Sequence, residues 1–272
     1  MDTMTALYQA IEVKLWKKDI LRLGKRDNGE LLGEAQVQKR ESRLQIERWM
    51  GEEMELIEFL AFTGLYSDII EFDNGHRMNV YGQPRLSGMS DDVLDRLSFL
   101  RTSDSSSKHK DRSYHFLHLT FQEYFAAQYF TRCWTSSRPL SCLNISSARQ
   151  NSATQIPPER FLQQKYSGRY DIFWRFVAGL LHGRGQGEEQ LRRFFEKIED
   201  EPLDLLGPVH QRLLLHCFRK CLPDAKSGPS TSINYRICER KWRLDANSGP
   251  STSTTFLERC ICVEKRSFLI IS

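Results

Sequence analysis

Long apolar runs are missing from this 272-residue chain, and no stretch approaches the roughly 20 consecutive apolar residues that cross a bilayer, so no transmembrane helix and no membrane partner are expected. Met1-Asp2-Thr3-Met4 lacks the basic segment and apolar run of a secretory signal, so the expected compartment is the cytoplasm. Seven cysteines are an odd number with no CxxC pair, which indicates neither a disulfide framework nor a zinc site; the thiols are read as reduced, and no metal is expected. A GxxxxGK[ST] phosphate loop is absent, because Gly24-Lys25 has neither the upstream glycine nor the following hydroxyl. GxGxxG, HExxH and GxSxG are missing as well. Gly183-Arg184-Gly185-Gln186-Gly187 joins two helical patterns and follows no strand, so it reads as a connector. His216 beside Cys217, with Cys221, could suggest a base and a thiol, but neighbours on a helix point about 100° apart, which favours a structural reading. No catalytic residue and no enzymatic activity are expected.

What the chain does contain is ordinary for a globular protein: 40% hydrophobic, 27% charged and 11% aromatic residues. The net charge of +4 is local. Residues 219–243 hold seven basic against two acidic side chains, leaving the remainder close to neutral. A basic tail is a weak footprint for polyanions, so nucleic acid is not an expected partner.

Periodicity predicts a mainly α fold. Leu7, Ile11, Leu15 and Ile20 give a helix over 4–22 with an apolar face, and Gly24 is its stop. A second helix is expected from Glu41 to Thr63, with Glu47, Arg48, Glu52, Glu55 and Glu58 outward and Gly64 as a left-handed cap. Tyr66 to Phe72 reads as a strand, Asp73-Asn74-Gly75 as a turn, and Met78 to Tyr81 as the return of a short hairpin. Ser90 should cap a third helix through Leu100, and the polar stretch 101–113 should be an exposed loop. Tyr114 to Leu119 alternates as a strand. Thr120-Phe121-Gln122-Glu123 then has the form of a capping box, opening a helix to Trp134 that is apolar on nearly every side.

The division read from these patterns is 1–134 as a first domain with a small β element, 135–165 as a linker, 166–222 as an all-α domain and 223–272 as a poorly ordered tail. The all-α part holds a strong stripe over Asp171–His182 with an Asp171/Arg175 pair. A second helix follows through Leu191, Phe194, Phe195 and Ile198, and a third opens at Pro208 and carries Val209, Leu213, Leu214, Cys217 and Cys221. SGPSTS occurs twice in the tail, at 227–232 and 248–253, too few copies for a stacked repeat.

One segment is specific: Tyr114-His115-Phe116-Leu117-His118-Leu119-Thr120-Phe121-Gln122-Glu123-Tyr124-Phe125-Ala126-Ala127. It resembles the winged-helix signature of NACHT-type STAND NTPases, the family of NLR immune receptors and of fungal NLR-like proteins, to which the wording is closest. Thr3 to Tyr8 and Met54 to Phe72 look like flanking parts of that domain. Tyr170 to Leu181 is similar to the start of the helical domain that follows it, so the resemblance spans roughly 3–222.

The resemblance implies a non-catalytic control module: a winged-helix domain and a helical domain that pack on a nucleotide-binding NACHT core and govern its closed and open states in non-self recognition or programmed cell death. It also implies that His118 touches the β-phosphate of ADP, provided a NACHT core from another chain supplies the nucleotide pocket; the chain alone is expected to bind no cofactor. Thr120, Phe121, Glu123, Tyr124, Phe125 and Arg175 are then motif residues with structural roles, Thr120 and Glu123 as caps. The expected partner is the NACHT core or another protein domain, with self-association possible through apolar surface at Leu7, Ile11 and Leu15. The alternative weighed is a DNA-binding winged helix, for which the helix after Thr120 offers little, since only Arg132 at its end is basic.

Overall fold

The computed structural model describes residues 3–39, 43–103, 112–143, 153–182, 187–200 and 208–221. Most of these are helical, as the periodicity predicts, and residues 1–222 gather into one compact unit. The tail 223–272, with both SGPSTS copies, lies outside the described residues, as do the glycine-rich connector 183–186 and most of 101–113.

Helix α1 (Met4–Leu23) starts at Thr3, whose hydroxyl accepts from the Ala6 amide, and stops at Gly24 with φ 63, the left-handed cap read from the sequence. The apolar surface expected at Leu7, Ile11 and Leu15 is partly present, and a different row faces inward. The inward face is Thr5, Glu12, Trp16, Asp19 and Ile20, while Leu7 is 46% exposed and Ile11 and Leu15 are only half-buried. Polar groups can face inward here because each finds partners. Glu12 accepts from Trp16 Nε1 (3.2 Å), Tyr124 Oη (2.6 Å), Gln128 Nε2 (2.9 Å) and Arg43 (2.9 Å), and Asp19 accepts from the Ser98 amide (2.8 Å) and hydroxyl (2.6 Å).

A hairpin that the sequence reading passed over follows, β1 (Arg26–Asp27) and β2 (Glu30–Leu31), turning on Asn28 (φ 52) and Gly29 (φ 87), the positive pair that a type I′ turn needs. After the short helix α2 (Glu34–Gln38) comes α3 (Arg43–Ser67), bent at Met50. Beyond Glu53 it is buried on almost every side, Glu58 included, so the expected outward placement of Glu58 is corrected: its carboxylate is held by Arg132 at 2.7 Å. Gly64 is not a cap. It lies inside α3, where a Cβ would come within 2.5 Å of the Phe72 ring and 2.6 Å of the Gln122 amide, so its bareness serves close packing.

The predicted strand and hairpin over 66–81 are also corrected. Tyr66 and Ser67 extend α3, only Phe72 pairs as a strand residue, and Asp73 caps the helix α4 (Asn74–Tyr81) by accepting from the His76 amide at 2.8 Å. Asp-Asn-Gly suits an N-cap as well as a turn, and the burial of His76, Arg77 and Val80 on one side decides for the helix. Helix α5 (Asp91–Arg96) starts after Ser90 as expected but ends before Leu97, with no hydrogen bond from the Ser90 side chain. Leu100 instead begins β3 (Leu100–Thr102), which pairs antiparallel with β4 (Tyr114–Phe116) in the register Leu100↔Phe116, and Tyr114 also bridges to Phe72.

Helix α6 (Leu119–Thr135) is buried all round, as its sequence suggests, and packs along α3 through Tyr129 against Phe59 (5.4 Å) and Phe62 (4.9 Å). The stretch read as linker holds a second hairpin, β5 (Leu140–Leu143) with β6 (Ala153–Ile156), and then α7 (Pro158–Phe161) opened by Pro158. Helices α8 (Asp171–His182), α9 (Gly187–Ile198) and α10 (Pro208–Cys221) fall where the periodicity puts them, although Val209 is 42% exposed and not inside. Their aromatic side chains continue the core of the first half: Phe130 meets Phe173 (5.7 Å) and Trp174 (5.3 Å), Trp134 meets Phe194 (6.0 Å), and Tyr8 meets Phe176 (5.1 Å).

Candidate functional site at the start of helix α6

β4 ends at Phe116 and α6 begins at Leu119, so the chain turns from strand to helix within two residues. His118 occupies the N-cap, in extended backbone conformation. Its Nδ1 accepts from the Thr120 amide at 3.2 Å and from the Thr120 hydroxyl at 2.8 Å. This corrects the predicted capping box: the cap is His118, and Thr120 is the donor it satisfies. A histidine that accepts at Nδ1 carries its proton on Nε2, so the free edge of the ring presents an N–H donor. Among the described residues Nε2 has no partner; the side chain is exposed, flanked by exposed Leu117 and Leu119.

The other motif residues turn inward. Phe121 packs on Tyr8 (5.0 Å), Phe125 on Phe99 (4.8 Å), and the Tyr124 hydroxyl donates to Glu12, its own ionisation pushed far up by burial and by that carboxylate. Glu123 is not a cap either. It is buried beside Asp171 and Arg175, and burial first, then the Asp171 charge, pushes its carboxyl up to about 7. Arg175 donates to Asp171 at 2.5 Å, as the one-turn spacing predicts. His115 only approaches the Ser103 hydroxyl (3.5 Å) from the hairpin surface. The structure thus splits the motif into His118 and His115 toward the surface and a set of core anchors; Glu12, which Tyr124 joins with Trp16, Gln128 and Arg43, carried no sequence signal beyond being an acidic residue in an amphipathic helix.

No group of three potential metal ligands occurs among the described residues. Cys133, Cys142 and Cys217 are buried free thiols, and burial pushes Cys133 up to about 11 and Cys142 up to about 12, far from thiolate chemistry. His216 turns to Arg175 and Asp171, whereas the Cys217 thiol donates to the Trp174 carbonyl at 3.6 Å, so the two side chains engage separate partners. No helix of the described residues is long and apolar enough to cross a membrane.

Set beside known families, the segment that begins at this cap is distinctive. Residues 118–225 match the NLRC4 helical domain HD2. The HD2-like region starts at His118 itself, takes in α6, the β5–β6 hairpin and α7, and ends just beyond α10, so it crosses the stretch read as a linker. Its core is the aromatic contact between α6 and α8 described above. No curated protein matches the chain.

Proposed function

We propose that the chain is a non-enzymatic regulatory module of an NLR-like signal-transduction NTPase, which packs on a NACHT nucleotide-binding core in the cytoplasm and biases it toward its ADP-bound closed state. The observation that carries this reading is the NLR-type helical region opening on an exposed His118, whose Nε2–H stands free at a surface strand-to-helix turn. An N–H donor at a helix N-terminus suits an anion, since the first amides of the helix and its dipole add to it. The order α3, bridging Phe72, α4, α5, β3 and β4 supports a winged-helix assignment for the part before α6.

The same order weakens the DNA-binding alternative. In such a fold the groove-reading helix precedes the hairpin, and that is α5, a helix of six residues whose exposed charges are one acid and one base, Asp92 and Arg96, while Asp91 and Asp95 are occupied by Arg77 and Arg112. The helix after Thr120 is buried along most of its length, and its Arg132 is taken by Glu58.

The test is ADP dissociation from a P-loop NACHT core presented as a separate chain. Adding this protein should slow release, His118→Ser should lose that effect while keeping the cap, and the protein alone should bind no ADP at micromolar concentration. Unchanged release in its presence, or turnover of ATP by the purified chain, would overturn the proposal.

A further inference from the structure

The motif leaves one cluster without a role, at the junction of α6, α8 and α10. Arg175 of α8 divides one amino group between Asp171, on its own helix at 2.5 Å, and Nδ1 of His216 on α10 at 2.6 Å. A guanidinium can only donate, so Nδ1 must offer its lone pair and the His216 ring must be neutral in this arrangement. Asp171 Oδ1 lies 3.7 Å from the same ring nitrogen, too far for a hydrogen bond but close enough to receive the ring if it shifts. Arg175 Nε is buried and without a partner, with Glu123 of α6 the facing carboxylate. All three members of the junction between α8 and α10 are about a quarter exposed, so protons reach them.

We propose that Asp171, Arg175 and His216 form a proton-operated clasp, which holds α10 against α8 while His216 is neutral and loosens when the imidazole takes up a proton. Protonation places an N–H opposite the N–H of Arg175, which removes the interhelical hydrogen bond and sets two positive charges at contact distance. The ring can then pair only with Asp171, in competition with Arg175. The charged groups facing the ring are Arg175 and Asp171 from α8 and Arg212 from α10 itself, while Glu123 from α6 faces the same Asp171–Arg175 pair. Burial and the two arginines hold the ring below the ordinary histidine range of 6.5, Asp171 opposing them. The released state therefore takes the proton more readily than the clasped one, and acid favours release. α10 is otherwise held by buried Leu213, Leu214 and Cys217, by the Cys217 thiol on the Trp174 carbonyl, and one and a half turns away by His210, which meets the Tyr166 hydroxyl at 2.8 Å and lies 3.4 Å from Glu199.

This proposal is independent of the NACHT reading and is tested on the full chain alone. Amide hydrogen exchange, corrected for intrinsic rates, is compared at pH 7.5 and 5.5. Protection of 213–217 should fall roughly threefold to tenfold at the lower pH, as for one lost hydrogen bond of ordinary net strength. His216→Gln, which can accept from Arg175 but cannot titrate, should remove this pH dependence while leaving that of Glu123 in place. The 15N shifts of His216 should show an unprotonated Nδ1 at pH 7.5. Equal protection at both pH values, the same fall in His216→Gln, or a protonated Nδ1 at pH 7.5 would each overturn the clasp.

Discussion

Glu123 and Glu12 are both buried carboxylates, and they serve opposite ends. Glu12 accepts four hydrogen bonds, so removing it takes a partner from Trp16, Tyr124 and Gln128 together and leaves Arg43 with only Glu47 and Gln128. Glu12→Ala should cost about 3 kcal/mol or more in urea unfolding, as when one partner of a buried pair is lost, whereas Tyr124→Phe should cost only about 1 kcal/mol. Glu123 is held at about 7, above the ordinary 4.5, so the fold prefers its protonated form. Its contribution is complete below about pH 4.5 and is lost as the pH rises through about 7. Glu123→Gln should therefore raise the melting temperature at pH 8, by up to about 3 kcal/mol of stability, and change little at pH 4. A lower melting temperature for the variant at pH 8 would contradict this assignment. For His118, the cap and the free Nε2–H separate by substitution: Ala should lose about 1 kcal/mol, while Ser restores the capping oxygen and the stability.

Among the elements, the helices with a single apolar stripe, α8, α9 and α10, were plain in the sequence, because a period of 3.6 leaves little else. Less plain was everything that depends on partners far along the chain. In α1 the inward row of Glu12, Trp16 and Asp19 could not be read, since only knowledge of Tyr124, Gln128 and Ser98 shows those acids satisfied. Asp73-Asn74-Gly75 was ambiguous between turn and cap, and Gly64 between stop and close contact, because local chemistry permits both. Asn28-Gly29 carries a turn signal, but its two-residue strands are too short to show alternation. At the candidate site the motif marked the right segment, but the identity of the cap depended on a side-chain orientation. Gly64→Ala should destabilise by about 2 kcal/mol or more through overpacking against Phe72 and Gln122, and Asp73→Ala by about 1 kcal/mol through the lost cap; chemical denaturation with an unchanged m-value checks both.

At the scale of the molecule, two aromatic clusters anchored on α6 each reach into α8, Tyr8 and Tyr124 meeting Phe176 and Phe130 meeting Phe173 and Trp174, so the described helices before and after the β5–β6 hairpin are expected to unfold together. A fragment ending at residue 134 would expose Phe130 and Trp134, which now meet Phe173, Trp174 and Phe194. It should precipitate or bind hydrophobic dyes, whereas residues 1–222 should melt in one calorimetric transition. The outer face of α1 has a practical side. Lys14 and Lys18 stand on its outer surface beside Leu7, away from every side chain that the interior uses. A fluorophore or an affinity handle attached there would report on whatever approaches that helix without disturbing the scaffold beneath it.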